Sequence, residues 1–355
     1  MKDRLDSPPV TKVTPKPRRR GPVPRSRRFN RILVPIDFSR PSLKAIPYAL
    51  AISRQFGADV HLLHVTDVTQ QPPPSLLTLP VMPQSEWNQR FMKRLEALAL
   101  KYRTNGKVSA LEPRNGITYE EICAAARELK ADLIVLATHG YTGYKRMFLG
   151  STAERVVQHS PCPVLVVRHH VHRWNGPGDL RTLTGFKLAK ILVPTDFSEC
   201  SQTAFDYALQ LAREFGAELR LVHVINPRAF PFGDKHTALD PGEHLQKMEN
   251  AAQKRMHSMG ARTKGRYSVR LIHGSPAIEV CHAANEDADL IVISTHGRTG
   301  LEHLLIGSVA EHVVRYAHCP VLVIPFRSNP SHINSRNENE NAQIHQCCLP
   351  VPVDR

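Results

Sequence analysis

Long apolar runs are missing from this 355-residue chain: no stretch of 18 consecutive apolar residues occurs, so nothing in it reads as a membrane-spanning helix. The amino terminus carries charge with no apolar segment behind it, which excludes a secretory signal by pattern and makes the cytosol the expected location. None of the seven cysteines forms a Cys-x-x-Cys pair, so neither a zinc knuckle nor a thioredoxin-type redox site is indicated. No Gly-x4-Gly-Lys-Ser/Thr phosphate loop and no Gly-x-Gly-x-x-Gly dinucleotide fingerprint is present either. Acidic residues are in deficit, 32 against 47 Lys and Arg, for a formal charge of +15.

That charge is unevenly placed. Residues 1–29 hold ten Lys and Arg against Asp3 and Asp6, roughly half the net excess, in a Pro-rich stretch with little apolar content. Such a segment cannot offset its ordering entropy by burial, so 1–29 is expected to be a disordered basic arm. It could make weak, salt-sensitive contact with a polyanion through counterion release, or simply stay solvated. Most of the cysteines are expected to be reduced and buried as small hydrophobes. Cys347 and Cys348 fall in a polar tail, 327–355, also expected to be disordered.

What the chain does contain is itself, twice. Arg31-Ile-Leu-Val-Pro-Ile-Asp-Phe-Ser39 returns as Lys190-Ile-Leu-Val-Pro-Thr-Asp-Phe-Ser198, and Leu62-Leu-His-Val65 as Leu221-Val-His-Val224, both at an offset of 159. Asp132-Leu-Ile-Val-Leu-Ala-Thr-His-Gly140 returns as Asp289-Leu-Ile-Val-Ile-Ser-Thr-His-Gly297 at 157, and Cys162-Pro-Val-Leu-Val-Val167 as Cys319-Pro-Val-Leu-Val-Ile324. The order of landmarks never changes, so this is a domain duplication with two short deletions in the second copy. The copies span 30–168 and 189–326, joined by a linker over 169–188.

Each copy alternates strand and helix. In the first, 31–35, 60–65, 108–111, 133–137 and 164–167 read as strands. Helices are expected from Ser39, an N-cap, to Gly57, a stop, and over 84–103, 119–129 and 152–159. Pro47 should kink the first of these helices, and the second copy has no such breaker. Continuous apolar strands between amphipathic helices imply a parallel sheet covered on both faces. The predicted fold class is therefore α/β, with two doubly wound domains of Rossmann or flavodoxin type, each holding a five-stranded parallel sheet.

In such folds ligands bind beyond the carboxyl ends of the strands. After the fourth strand the copies read Ala137-Thr-His-Gly140-Tyr-Thr-Gly143, then Gly150-Ser151, and Ser294-Thr-His-Gly297-Arg-Thr-Gly300, then Gly307-Ser308. In both, Gly, nine residues and Gly-Ser open a helix. Glycines let backbone approach a phosphate, Ser adds a hydroxyl, and the helix amino terminus presents unpaired N–H groups. The alternative is that the glycines only make tight turns.

The loop resembles the signature of the universal stress protein family, Gly-x2-Gly-x9-Gly-Ser/Thr. Val-Pro-x-Asp-x-Ser after strand one and Gly274-Ser-Pro276 match as well, and the likeness covers both copies. It implies ATP as ligand, with Mg²⁺ accompanying it. It further implies that Pro35, Ile36, Asp37 and Val65 line one adenine pocket, and Pro194, Thr195, Asp196 and Val224 the other. The phosphates would lie against Gly140, Gly150, Ser151 and Thr152, and against Gly297, Gly307, Ser308 and Val309. Ala137 and Ser294 stand where the signature has its first glycine, which should weaken affinity, and Arg298 adds charge to the second copy alone. Unequal sites are expected. In the family, domains pair through their last strands, which implies an intramolecular pseudo-dimer through Val164–Val167 and Val321–Ile324, with a further homodimer open. The function implied is nucleotide-dependent stress response or signalling. A slow ATP hydrolase and a nucleotide-free interaction module are the rival readings.

Other readings are plainer. Asp37 and Asp196 also suit helix caps or turns, and Asp132 and Asp289 suit ends of the preceding helices. His64 and His223 read as satisfied core histidines. His139 and His296 sit beside the loop, but no nucleophile or carboxylate stands at a fixed spacing, so no catalytic residue is assigned.

Overall fold

A computed structural model describes residues 11–13, 29–70, 83–103, 107–137, 150–167, 188–226, 241–296 and 306–325. The linker up to 187, the tail and the basic arm other than 11–13 and 29 lie outside them. Within the arm, β1 (Thr11–Val13) is an edge strand that pairs antiparallel with Tyr267–Val269.

The first copy runs through β2 (Arg31–Pro35), α1 (Arg40–Leu43), α2 (Ala45–Phe56), β3 (Asp59–Leu63), β4 (Val65–Asp67) and α3 (Gln84–Tyr102). It continues through β5 (Val108–Ala110), β6 (Arg114–Gly116), α4 (Thr118–Leu129), β7 (Leu133–Ala137), α5 (Ser151–His159) and β8 (Val164–Val167). The second copy runs through β9 (Lys190–Pro194), α6 (Glu199–Phe215), β10 (Glu218–Ile225), α7 (Pro241–Ala261), β11 (Tyr267–His273), α8 (Pro276–Asp287), β12 (Leu290–Ser294), α9 (Ser308–Tyr316) and β13 (Val321–Ile324). No described helix is long and apolar enough to cross a membrane.

Each copy holds the expected five-stranded parallel sheet, in the order β5-β3-β2-β7-β8 and β11-β10-β9-β12-β13. These are the doubly wound order, with the reversal between the first and fourth strands. β8 and β13, the last strands that the family resemblance implied would pair, then do so antiparallel, Val164 opposite Val323 and Val166 opposite Val321. One continuous sheet results, and the two copies form one compact unit ending at Pro325.

The two faces of that sheet carry two cores, and each core runs through both copies. On one face Ile46, Leu50 and Leu95 pack in the same cluster as Phe205, Leu209 and Met256. On the other, Ile122 and Val156 share a cluster with Val280 and Val313. Phe56 and Phe215 meet edge-on across the junction at 6.0 Å, and Gln55 Nε2 donates to the Glu214 carbonyl at 2.7 Å.

Local chemistry explains the differences between the copies. Ser39 and Ser198 cap their helices by accepting from the N–H of Ser42 and Ser201, and Gly57 and Gly216 end them at φ 72° and 66°. Where α6 is continuous, the first copy breaks at Lys44 into α1 and α2. Pro47 then falls in the first turn of α2, where its missing N–H costs nothing.

The second strand also differs from its expected extent. It is interrupted at His64, and β4 pairs with β6 in a separate small sheet. Leu62 lies opposite Ala110 but Val65 lies opposite Arg114, so the first copy has one extra residue between β5 and β6. Pro113 falls in that bulge, where it owes the ladder no N–H. In the second copy Leu221 faces Val269 and Val224 faces Ile272, with no insertion. The other extra residue is Lys130, a left-handed cap (φ 52°) after α4; α8 passes directly to Ala288. These two positions account for the drift in repeat offset.

A further expectation fails at the fourth strands. Asp132 and Asp289 do not cap helices. Asp132 Oδ2 accepts from the backbone N–H of Asn30 and Arg31 at 2.8 and 3.0 Å, and Asp289 Oδ2 from Ala189 and Lys190 at 2.8 and 2.9 Å. Each carboxylate staples the start of the fourth strand to the start of the first, about a hundred residues away in sequence.

Candidate functional site

The residues singled out from sequence gather at the carboxyl ends of three neighbouring strands and at one helix amino terminus. In the first copy β7, β2 and β3 are adjacent in that order. They present Ala137 at the end of β7, Pro35 at the end of β2 with Ile36 and Asp37 just beyond, and Val65 beyond β3. Gly150 is the N-cap of α5, whose first residues are Ser151 and Thr152. In the second copy Ser294 ends β12, Pro194 ends β9 with Thr195 and Asp196 following, and Val224 lies near the end of β10. Gly307 caps α9, which opens with Ser308 and Val309. Gly140, Gly297 and Arg298 lie outside the described residues, as do His139 and Tyr141.

The helix starts differ in a way that bears on ligands. α1 and α6 are closed by serine hydroxyls, whereas α5 and α9 begin at extended glycines (ψ 138° and 143°) with no side-chain cap. Among the described residues no N-cap side chain accepts from their first-turn N–H groups, a lack they share with α4 and α8. Gly307 is pressed close to the incoming loop: its N–H donates to the Thr295 carbonyl at 2.7 Å, and an added Cβ would lie 3.2 Å from that oxygen.

Asp37 and Asp196 each brace the turn after the first strand. Asp37 Oδ1 accepts from Ser39 N–H at 2.9 Å, and Asp196 Oδ1 from Ser198 N–H and Oγ at 3.0 and 2.6 Å. In the same turn the second copy gains a hydroxyl that Ile36 cannot supply: Thr195 Oγ1 accepts from Phe197 N–H at 3.1 Å. Ser294 turns its hydroxyl back onto the His296 carbonyl at 2.7 Å. The side chain at this departure from the signature is thereby engaged within its own loop. His296 Nδ1 contacts Thr295 Oγ1 at 3.0 Å, while its Nε2 is buried with no hydrogen-bond partner among the described residues.

Sequence reasoning missed a Phe-Arg-His stack beside each site, joined in the first copy by Phe91 of α3, which lies 4.1 Å from the His64 ring and 5.9 Å from that of Phe38. Phe38 and Phe197 follow the aspartates at φ 62° and 65°, a left-handed conformation that is uncommon for a bulky side chain. Arg94 of α3 lies with its guanidinium 3.8 Å from the Phe38 ring centre, and Arg255 of α7 lies 4.4 Å from that of Phe197. His64 and His223 pack against the same rings at 5.0 and 4.5 Å. Their recurrence at nearly the repeat offset was the available signal. Burial pushes the His64 imidazole below the ordinary histidine range, against the opposing pull of the Ile36 carbonyl.

All five described cysteines are buried. Burial pushes Cys123 up to about 11 and Cys319 up to about 12, so neither is a thiolate at neutral pH.

The model of the universal stress protein family matches residues 28–168 and again 187–325. A universal stress protein of Methanocaldococcus jannaschii is 38% identical over 137 residues, covering 38% of this chain and 81% of that protein. A universal stress protein of Mycobacterium bovis is 24% identical over 310 residues, 84% of this chain and 97% of its own length, so the likeness runs through both copies. The crystal structure of a universal stress protein from Archaeoglobus fulgidus superposes at TM-score 0.59 with 23% identity. It covers 85% of this chain and 98% of its own, which is a likeness of fold.

Proposed function

The chain belongs to the universal stress protein family, and from that premise we propose that it binds an adenine nucleotide, ATP, in each of its two copies. The observation that carries this reading is the repeated pairing of a glycine-capped helix start with the ends of three adjacent strands. Pro35, Ile36, Asp37 and Val65 would take the base in the first copy, and Pro194, Thr195, Asp196 and Val224 in the second. Gly150, Ser151 and Thr152, and Gly307, Ser308 and Val309, would take the phosphates together with Gly140, Gly297 and Arg298. Helix amino termini and hydroxyls suit a polyphosphate, and Mg²⁺ would accompany the nucleotide as counter-ion.

Ala137 and Ser294 should lower affinity relative to glycine. Thr195 in place of Ile36, and Val309 in place of Thr152, make the two sites unequal. Nucleotide occupancy, in the cytosol, then adjusts conformation or partner choice in a stress response. The two copies act as a pseudo-dimer within one chain, and the basic arm adds a weak, salt-sensitive polyanion contact.

Calorimetric titration of ATP with Mg²⁺ into the full chain, and into Gly150→Val and Gly307→Val variants, tests this. Two sites are expected, each weakened by about tenfold or more by the branched side chain at its own helix start. Binding with no loss in either variant would remove the glycines from the site. No binding to the unmutated protein would replace the reading with that of an interaction module, and steady phosphate release would replace it with that of a slow hydrolase.

A further inference from the structure

At the carboxyl edge of the sheet one histidine in each copy ties together two backbone segments that are distant in sequence. His64 Nδ1 lies 2.7 Å from the Ile36 carbonyl oxygen, and His223 Nδ1 lies 2.7 Å from that of Thr195. A carbonyl can only accept, so Nδ1 carries the proton and donates in both. The histidines are 7% and 9% exposed, which leaves their rings little freedom to leave this contact.

Each ring is held from a further side. Phe38 and Phe197 pack against them from the positive-φ position, and the guanidinium groups of Arg94 and Arg255 lie over those phenylalanines. The strained turn persists because several contacts fix it at once, and the same set occurs in both copies.

The placement of the clamp gives it a purpose. The clamped carbonyl belongs to the residue between the proline and the aspartate of the first strand's end, and the histidine itself immediately precedes Val65 or Val224. The ladder bonds from Ile36 N–H to the Leu63 carbonyl (2.7 Å) and from Thr195 N–H to the Val222 carbonyl (2.8 Å) hold the segments together as far as the strand ends. We propose that His64 and His223 are positioning residues that fix the spacing of the segments beyond those bonds, and thereby the discrimination of adenine from guanine nucleotides. This inference rests on the nucleotide-binding reading above. Adenine and guanine differ in the donors and acceptors of one edge, so backbone groups from two segments tell them apart only if the segments are held at a fixed distance. A histidine that reaches from one segment to the other does this without touching the ligand.

The test compares ATP and GTP binding to the full chain in a Gly307→Val background, so that only the first site is read. His64→Leu keeps the bulk and loses the donor; it should lower the ATP-over-GTP preference by about tenfold. His64→Asn, whose Nδ2 stands near the place of Nδ1, should restore most of that preference. His64→Gln, with its amide one carbon farther out, should not, and the Asn and Gln variants decide the matter if the Leu variant does not fold. Preference unchanged in Leu and Gln, even with a lower melting temperature, would make the clamp structural only and overturn the inference. If the unmutated chain binds two nucleotides and the preference is unchanged in the Leu and Gln variants, this inference fails alone. If the unmutated chain binds none, the parent reading fails with it.

Discussion

At the scale of single residues, histidine protonation links the first site to stability. His61 and His64 both have their proton affinity lowered, in each case chiefly by burial, with Arg31 adding to the effect at His61 and Arg94 at His64. A group whose folded-state value lies below its unfolded value binds more protons when unfolded. Its contribution to stability is therefore complete above the ordinary histidine range, near 6.5, and is lost as pH falls below it. Urea denaturation between pH 7.5 and 5.5 should show the midpoint falling as the solution is acidified (a range chosen to bracket a value of about 6.5). His64→Asn, which removes one of the two groups, should flatten that slope; an equally steep slope in the variant would mean that His64 does not contribute to it. The strain at Phe38 and Phe197 belongs to this scale too, and it was not legible in advance. Phe-Ser after Val-Pro-x-Asp carries no local sign of positive φ, because the conformation is enforced by an arginine and a histidine that arrive from later in the chain.

At the scale of elements, the strands and helices were largely readable and their ties were not. Apolar runs and the duplication pointed to five strands per copy in a doubly wound parallel sheet, since a covered parallel sheet leaves few alternatives. Register was out of reach: the bulge at Pro113 and the left-handed cap at Lys130 show only once each strand's partner is known. In the candidate site, the helix glycines were legible because their motif repeats and the strand-end residues came from the family resemblance, whereas the histidine clamps depend on contacts between segments. Asp132 and Asp289 were misread for the same reason, since a carboxylate before a strand looks like a local cap when its acceptor role is spent a hundred residues upstream. Their actual role makes a prediction. Asp132→Ala leaves two backbone N–H groups at the start of β2 without their acceptor. Because the position is half-buried, water makes up part of the loss, and the cost should be about 1–2 kcal/mol. Chemical denaturation should register this, with Asp289→Ala behaving alike. A loss below ~0.3 kcal/mol in both would show that water replaces the staples fully.

At the scale of the whole molecule, the junction between copies decides how the chain behaves as a unit. All four residues of β8 are almost completely buried, as are those of β13, and both cores pass from one copy into the other. Separating the copies would expose an unpaired strand edge together with the apolar flank around Phe56 or Phe215. Neither is tolerable alone: an open edge of Val and Leu pairs with whatever strand it meets, and each newly exposed large side chain forfeits about 1.5–3 kcal/mol. The antiparallel geometry supplies the remedy, because two identical strands can pair antiparallel about a two-fold axis. Residues 28–168 and 187–325 produced as separate chains should therefore each sediment as a homodimer. Mixed and refolded together, they should distribute between the two homodimers and a one-to-one complex. The covalent linkage in the native chain then selects the mixed pairing through local concentration alone. Analytical ultracentrifugation distinguishes the cases. Well-folded monomers of either half would mean that the continuous sheet is a convenience of the fusion, and that each copy completes its own core.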